Sequence, residues 1–296
     1  MITSAPDGSA PTAPRWRWLV TDLDGTLVDR EQNLVPRSVE ALARFRALGG
    51  SVVIATGRNE PSATRYHRQL GLDTPLIVYN GARVVSPSGE RLLDLDLGAA
   101  WPVVRDQVVP ALPDGMGALA FAGTDAYVLR SAPALAEYAR RDGIVLKAFP
   151  RPPAPGDPGD SGGPAAPGDP GDLPVTKVML IAAEPGLDAP AAGVRAVCPE
   201  VTLVQSEATY LEILPPHADK GSALTWLARR HGVELSRVAA IGDNPNDVPM
   251  LVTAGLGAAV GDGHADVHGV ADWVAGPCAD GAVADLVDRL LADEPQ

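Results

Sequence analysis

Short unbroken apolar runs alternate along this chain with longer stretches in which apolar residues recur every three or four positions. The runs at 18–22, 51–55 (SVVIA), 76–79 (LIVY), 238–241 and 256–260 predict strands, and the stretches at 36–48, 60–70, 219–230, 246–253 and 281–291 predict helices. Pro36 suits a first helical turn, and Gly49-Gly50 suits a helix stop. Apolar runs without polar alternation, separated by helices, imply a parallel sheet covered on both faces. The expected core is therefore a doubly wound, Rossmann-like α/β fold.

After Asn80-Gly81 the pattern changes. A hairpin is expected around Pro87-Ser88-Gly89, from 83–86 to 91–94, followed by a helix at 99–111. Strands near 118–122, 126–129, 144–149, 175–182, 202–205 and 210–213, with helices near 133–141 and 187–197, describe an α+β layer. The reading is one parallel-sheet domain, 15–84 and 214–296, split by an inserted α+β domain at 85–213. Residues 1–14 and 152–172 are rich in Pro, Gly, Ala and Asp and are expected to be disordered. The second of these holds the hexamer Pro-Gly-Asp-Pro-Gly-Asp twice.

Composition narrows the function classes. The 296 residues are 46% apolar and 21% charged, an ordinary balance for a chain long enough for two domains. No apolar stretch is long enough for a membrane span, and the first 14 residues lack a secretory pattern, so cytoplasmic residence is expected. The net charge of −13 argues against nucleic acid and anionic membranes as partners. The basic-aromatic Arg15-Trp16-Arg17-Trp18 reads as the start of the first strand. Cys198 and Cys278 have no metal-ligand spacing and read as buried thiols.

Open α/β sheets bind ligands beyond the carboxyl ends of their strands. Four polar clusters fall at or beside such ends. Asp22 and Asp24, followed by Gly25, put two carboxylates one residue apart after the first strand, which suits a metal or a nucleophile beside a general acid. Thr56-Gly57-Arg58 follows the second strand and offers a hydroxyl and backbone N–H groups to phosphate oxygens. Lys220 stands at a helix start, where it opposes the helix dipole. Asp243, Asn246 and Asp247 offer hard oxygen donors suited to magnesium. Each cluster alone also fits a turn, a helix cap or a solvated charge.

In order, DxDGT, TGR, a lone Lys-Gly and GDxxND resemble the motif set of the haloacid dehalogenase superfamily. Val78-Tyr79-Asn80-Gly81-Ala82 and the run from Asp243 to Leu251 are similar to its Cof-type phosphatases, which carry a large α+β cap. The resemblance implies a Mg²⁺-dependent phosphomonoester hydrolase of small metabolites, such as sugar phosphates, FMN or pyridoxal phosphate, working as a monomer or weak homodimer. It implies that Asp22 is the nucleophile and Asp24 the general acid and base. Asp22, the Asp24 carbonyl and Asp243 would hold the metal, with Asn246 and Asp247 behind them. Thr56 and Lys220 would grip the phosphoryl oxygens, and Gly57, Arg58 and Asn80 would contact substrate. A phosphosugar mutase shares the cap type and is the alternative. A catalytically silent binding or regulatory protein is the remote one, because Asp22, Asp24, Lys220 and Asp243 are all present. The Gly261-Asp262-Gly263 turn departs from the family pattern. His264 and His268 would share a metal only if helical; an exposed helix face is the plainer account.

Overall fold

The computed structural model describes residues 15–150 and 173–292. The expectations for 1–14 and for 152–172 lie outside the described residues. The core sheet contains β1 (Trp18–Thr21), β2 (Ser51–Ile54), β12 (Val238–Gly242), β13 (Leu256–Ala259) and β14 (Trp273–Val274), in the order β14-β13-β12-β1-β2. All of its neighbours run parallel. Strand β1 lies between β12 and β2 and is buried along its whole length, which is why it reads as an unbroken apolar run.

Successive side chains of these strands feed opposite faces. Leu19, Ile54, Ala239 and Ile241 pack with α1 (Pro36–Ala47), α2 (Glu60–Gln69) and α9 (Ala282–Ala292), while Trp18, Val20, Val53 and Ala240 pack with α6 (Lys220–His231) and α7 (Val248–Thr253). Trp16 and Trp18 are buried, so the basic-aromatic start belongs to the core. Strand β3 (Leu76–Val78) touches β2 through the single parallel bridge Ala55–Ile77. Its main pairing is with β4 (Arg83–Val85) and β5 (Arg91–Asp94) in a three-stranded antiparallel sheet. The run at 76–79 is thus only loosely part of the parallel sheet that its pattern predicts.

The inserted layer is a six-stranded sheet made of β6 (Gly117–Ala122), β7 (Asp125–Arg130), β8 (Leu146–Ala148), β9 (Val175–Ile181), β10 (Thr202–Glu207) and β11 (Tyr210–Leu214), in the order β10-β11-β9-β6-β7-β8. Helices α3 (Ala100–Val103) and α5 (Asp188–Val197) cover one face. The other face, with Phe121, Met179 and Tyr210, joins α4 (Ala134–Asp142) in the apolar cluster that includes Leu23 and Tyr79 of the core. The fold is a doubly wound parallel-sheet core with an inserted α+β cap. The helix expected at 99–111 is broken: α3 widens into a π-helical turn at Val104–Val108 and tightens into a 3-10 turn at Val109–Ala111. Pro110 lacks the N–H that a regular helix needs there. A short α8 (Ala265–His268) precedes β14.

Candidate active site

The carboxyl ends of β1, β2 and β12 lie side by side, and the loops leaving them converge. Asp22 continues β1, its N–H donating to the Ile241 carbonyl at 3.1 Å. Gly25 then turns the chain at φ +77°, and a Cβ there would sit 2.5 Å from Asp243 Oδ2. Only glycine lets the two acidic loops approach this closely. Thr26 Oγ1 donates to Asp243 Oδ1 at 2.7 Å and fixes that carboxylate from the β1 side.

Lys220 opens α6 and is completely buried. Its Nζ donates to Asp22 Oδ1 and to Asp247 Oδ1, each at 2.6 Å. Asp219 caps the helix through Ser222 N at 2.7 Å. Gly221 explains the Lys-Gly pair, since a Cβ there would meet the Pro249 carbonyl at 2.3 Å. The second oxygen of Asp247 accepts the N–H groups of Asp243 and Asn244 at 3.0 Å each. Asp247 therefore holds the lysine and shapes the loop, with both oxygens engaged.

This packing leaves too little positive charge for its carboxylates. Burial pushes the Asp22 carboxyl up to about 7, against the pull of Lys220, with Asp247 and Asp24 adding repulsion. Burial, then Asp22 and Asp247, push Asp243 up to about 8. Burial works against the Lys220 charge, but Asp22 and Asp247 outweigh it and hold its proton more tightly than usual. Oxygens of Asp22, Asp243 and Asp247 lie within 4.8 Å of one another. Closely set hard oxygens with uncompensated negative charge fit a divalent cation such as Mg²⁺.

Asp24 is held differently. Its side chain is 48% exposed and meets Arg58 through two bonds, Nε to Oδ2 at 2.7 Å and Nη2 to Oδ1 at 2.5 Å. The surrounding protein would raise its carboxyl, but Arg58 overrides this and holds it below the usual carboxylate range. Gln32 also bonds Arg58, and the guanidinium lies 5.0 Å over the Tyr66 ring. Thr56 is buried, and its Oγ1 accepts the Arg58 N–H at 3.2 Å. Asn80 adopts φ +52°; it donates to Glu212 Oε2 and accepts from Asn246 Nδ2, both at 2.9 Å.

Asp22, Asp24, Thr56, Gly57, Arg58 and Asn246 line one cavity of about 100 Å³. The cap closes it with Tyr138, Arg141, Lys177, Glu207 and Glu212. Asn80 lies beside it, at the edge of a larger groove of about 660 Å³ under β10. Sequence reasoning did not single out Thr26, Gln32, Arg141, Lys177 or Glu212 as site residues. His264 and His268 are spent locally: His264 Nδ1 accepts from Asp266 N at 3.2 Å, and His268 Nε2 lies 2.8 Å from the Val260 carbonyl. Both cysteines are free and buried. Among the described residues no helix is long and apolar enough to cross a membrane.

The chain is similar to known proteins along most of its length. A family profile described as haloacid dehalogenase-like hydrolase matches residues 19–98 and 166–287. The pyridoxal phosphate phosphatase YbhA of Escherichia coli (strain K12) is 26% identical over 295 residues, covering 92% of this chain and 97% of that protein. A protein of Arabidopsis thaliana named endoribonuclease YBEY, chloroplastic, is 25% identical over 301 residues, covering 96% of this chain but 48% of that protein. The chain thus spans about half the length of that relative. A solved haloacid dehalogenase-like hydrolase from Bacteroides thetaiotaomicron superposes with a TM-score of 0.76 at 22% identity, covering 93% of this chain and 99% of that one. The chain belongs to the haloacid dehalogenase-like hydrolases.

Proposed function

We propose that this member of the haloacid dehalogenase-like hydrolases hydrolyses small phosphomonoesters through an aspartyl phosphate on Asp22, with Mg²⁺ as cofactor. The enzyme is a phosphatase; sugar phosphates and phosphorylated cofactors such as FMN or pyridoxal phosphate are the substrates of choice. The observation that carries the reading is the convergence of Asp22, Lys220 and Asp243 at the strand ends, with Asp24 on the same loop.

In the first step an Asp22 oxygen attacks phosphorus as the bond to the leaving oxygen breaks, and Asp24 gives that oxygen a proton. In the second, Asp24 takes a proton from water, the water oxygen attacks phosphorus, and the Asp22 carboxylate leaves. Arg58 keeps Asp24 ionised, the form that accepts the proton from water. A phosphoryl dianion arriving beside Asp24 adds negative charge and raises its proton affinity, which favours the acid form needed first. Lys220 and the Thr56 hydroxyl stabilise the equatorial phosphoryl oxygens. The carboxylates of Asp22 and Asp243 and the Asp24 backbone carbonyl would hold Mg²⁺, which when bound neutralises phosphoryl charge and favours ionised Asp22.

Hydrolysis is favoured over a mutase reaction by the cap side of the cavity. Its cations are already committed: Arg141 to Glu207 at 2.6 Å and Asp142 at 3.1 Å, and Lys177 to Glu212 at 3.0 Å. A mutase intermediate would need a cation for its second phosphate. The test is release of inorganic phosphate from a panel of phosphorylated metabolites, with and without Mg²⁺. Metal-dependent release from at least one compound is expected. No release from any of them, with Mg²⁺ bound, would overturn the reading.

A further inference from the structure

The chain contains 21 arginines and only three lysines, Lys147, Lys177 and Lys220. Lys147 is exposed on the cap. Both others are buried, Lys220 beneath Asp22 and Lys177 in β9 on the cap wall of the cavity, at 1% exposure. In a chain that carries nearly all its positive charge on arginine, a buried lysine marks a place where a compact ammonium with three donors is needed.

Lys177 Nζ donates to the Gly57 carbonyl and to Glu212 Oε2, each at 3.0 Å. The same Glu212 oxygen accepts from Asn80 Nδ2 at 2.9 Å, and Oε1 accepts from Ser206 Oγ at 2.8 Å. Asn80 continues the chain of bonds to Asn246. The network ties three cap strands, β9, β10 and β11, to three core loops: those after β2, after β3 and after β12. The loops are packed tightly where they meet, since a Cβ on Gly57 would lie 3.0 Å from the Asn80 amide. Asn80 itself is held at a positive φ. A buried ion pair is a weak source of net stability, and apolar replacements of such pairs are often neutral. Stability alone therefore gives little reason to place this pair on the cavity wall.

We infer that Lys177 and Glu212 are positioning residues for phosphoryl transfer, an inference that rests on the phosphatase reading. Lys177 fixes the Gly57 carbonyl, so the Thr56 hydroxyl keeps its aim at the phosphoryl site. Glu212 fixes Asn80 against the same loop. Both bonds reach from cap to core, so the phosphate-binding loop takes its working shape when the cap is seated.

The experiment compares wild type, Lys177→Met, Glu212→Gln and the double variant Lys177→Met/Glu212→Leu, using p-nitrophenyl phosphate with Mg²⁺ and thermal unfolding of each protein. Displacing a reacting group by about 1 Å costs about 100-fold in rate. The expected result is a kcat lower by about 10- to 100-fold in each single variant, with a smaller change in KM, read at a temperature where each protein is still folded, because leaving one partner of the buried pair uncompensated lowers Tm by about 10 °C. The double variant should lose no more than the worse single variant, because both residues act through one network. Glu212→Gln is isosteric and carries the test if Lys177→Met fails to fold. Folded single variants with kcat within about threefold of wild type, losses that multiply in the double variant, or a double variant that regains wild-type turnover would each overturn the inference. Wild type without turnover on any phosphomonoester would instead refute the phosphatase reading.

Discussion

Replacing Lys220 with methionine tests the electrostatic design of the site. The ammonium is fully buried and lies 2.6 Å from both Asp22 and Asp247, whose side chains are 7% and 0% exposed. Methionine keeps the length of the side chain but leaves two buried carboxylates without their cation. Removing one partner of a buried pair costs about 3–5 kcal/mol. For a protein of this size, about 1 kcal/mol lowers Tm by about 2–4 °C, so a fall of about 10 °C is expected. The penalty depends on pH in a defined direction. Asp22 is already raised to about 7 with Lys220 lowering it, so without the lysine its carboxyl rises further. At pH 5 Asp22 carries a proton with or without the lysine and the deficit is small; above about 7 wild type has released that proton while the variant still holds it, so the variant goes on losing stability and the deficit is larger at pH 8. Thermal unfolding at pH 5 and pH 8 in EDTA reads both effects. With Mg²⁺, kcat should fall by about 100- to 1000-fold, the scale of losing one donor to a developing oxyanion. A variant that unfolds like wild type at pH 8, or whose deficit is the same at both pH values, would refute the reasoning.

Two further outcomes follow from the same crowding. In metal-free wild type the raised Asp22 carboxyl binds a proton in the folded state that the unfolded chain releases near 3.8. Its contribution to stability is full below about pH 4 and is lost as pH rises through about 7. Stability in EDTA should therefore fall between pH 5 and pH 8, and Mg²⁺ should restore it at pH 8; a flat profile with no response to Mg²⁺ would contradict the metal-site assignment. Asp243→Asn keeps the Thr26 bond and removes one crowded charge. It should raise metal-free stability at pH 8 by about 1 kcal/mol, the usual scale of relieving strain at a functional site, while abolishing Mg²⁺-dependent activity and the Mg²⁺ shift in Tm; an active variant with an intact Mg²⁺ shift would show that Asp243 is not a ligand.

Much of the architecture was legible because its elements are short, buried and locally encoded. The run around Leu19 and Val20 and the run at 238–241 are apolar without alternation because both faces of the sheet are covered. The acidic and Thr-Gly-Arg clusters could be placed because open α/β sheets put ligands at strand ends. The irregular helix after Ala100 was not legible, since the widening before Pro110 depends on packing against α5 as well as on the missing N–H. Strand β3 forms where its apolar run predicts, but its main antiparallel pairing with β4 was not legible, because three apolar residues do not reveal which edge they pair with. Lys177 and Glu212 were passed over for a different reason. They sit 120 and 132 residues from the Gly57 and Asn80 groups they bond, so only the tertiary fold brings them together. Two signals were available: a lysine inside the fully buried strand VTKVMLI, and the rarity of lysine in the chain. Arg58 reads from sequence as a substrate contact, and the structure commits it to Asp24.

The central claim is that Asp22 becomes phosphorylated during turnover. The most direct measurement is to quench wild type with acid during steady-state hydrolysis of a substrate from the panel, reduce with borohydride, and map the peptide that carries Asp22 by mass spectrometry. An acyl phosphate at that carboxyl is reduced to the alcohol, so the account predicts homoserine at position 22. The product should be absent without substrate and absent in Asp22→Asn. An enzyme that turns over at full rate with an unmodified Asp22, or an Asp22→Asn variant that still releases phosphate at the wild-type rate, would contradict it.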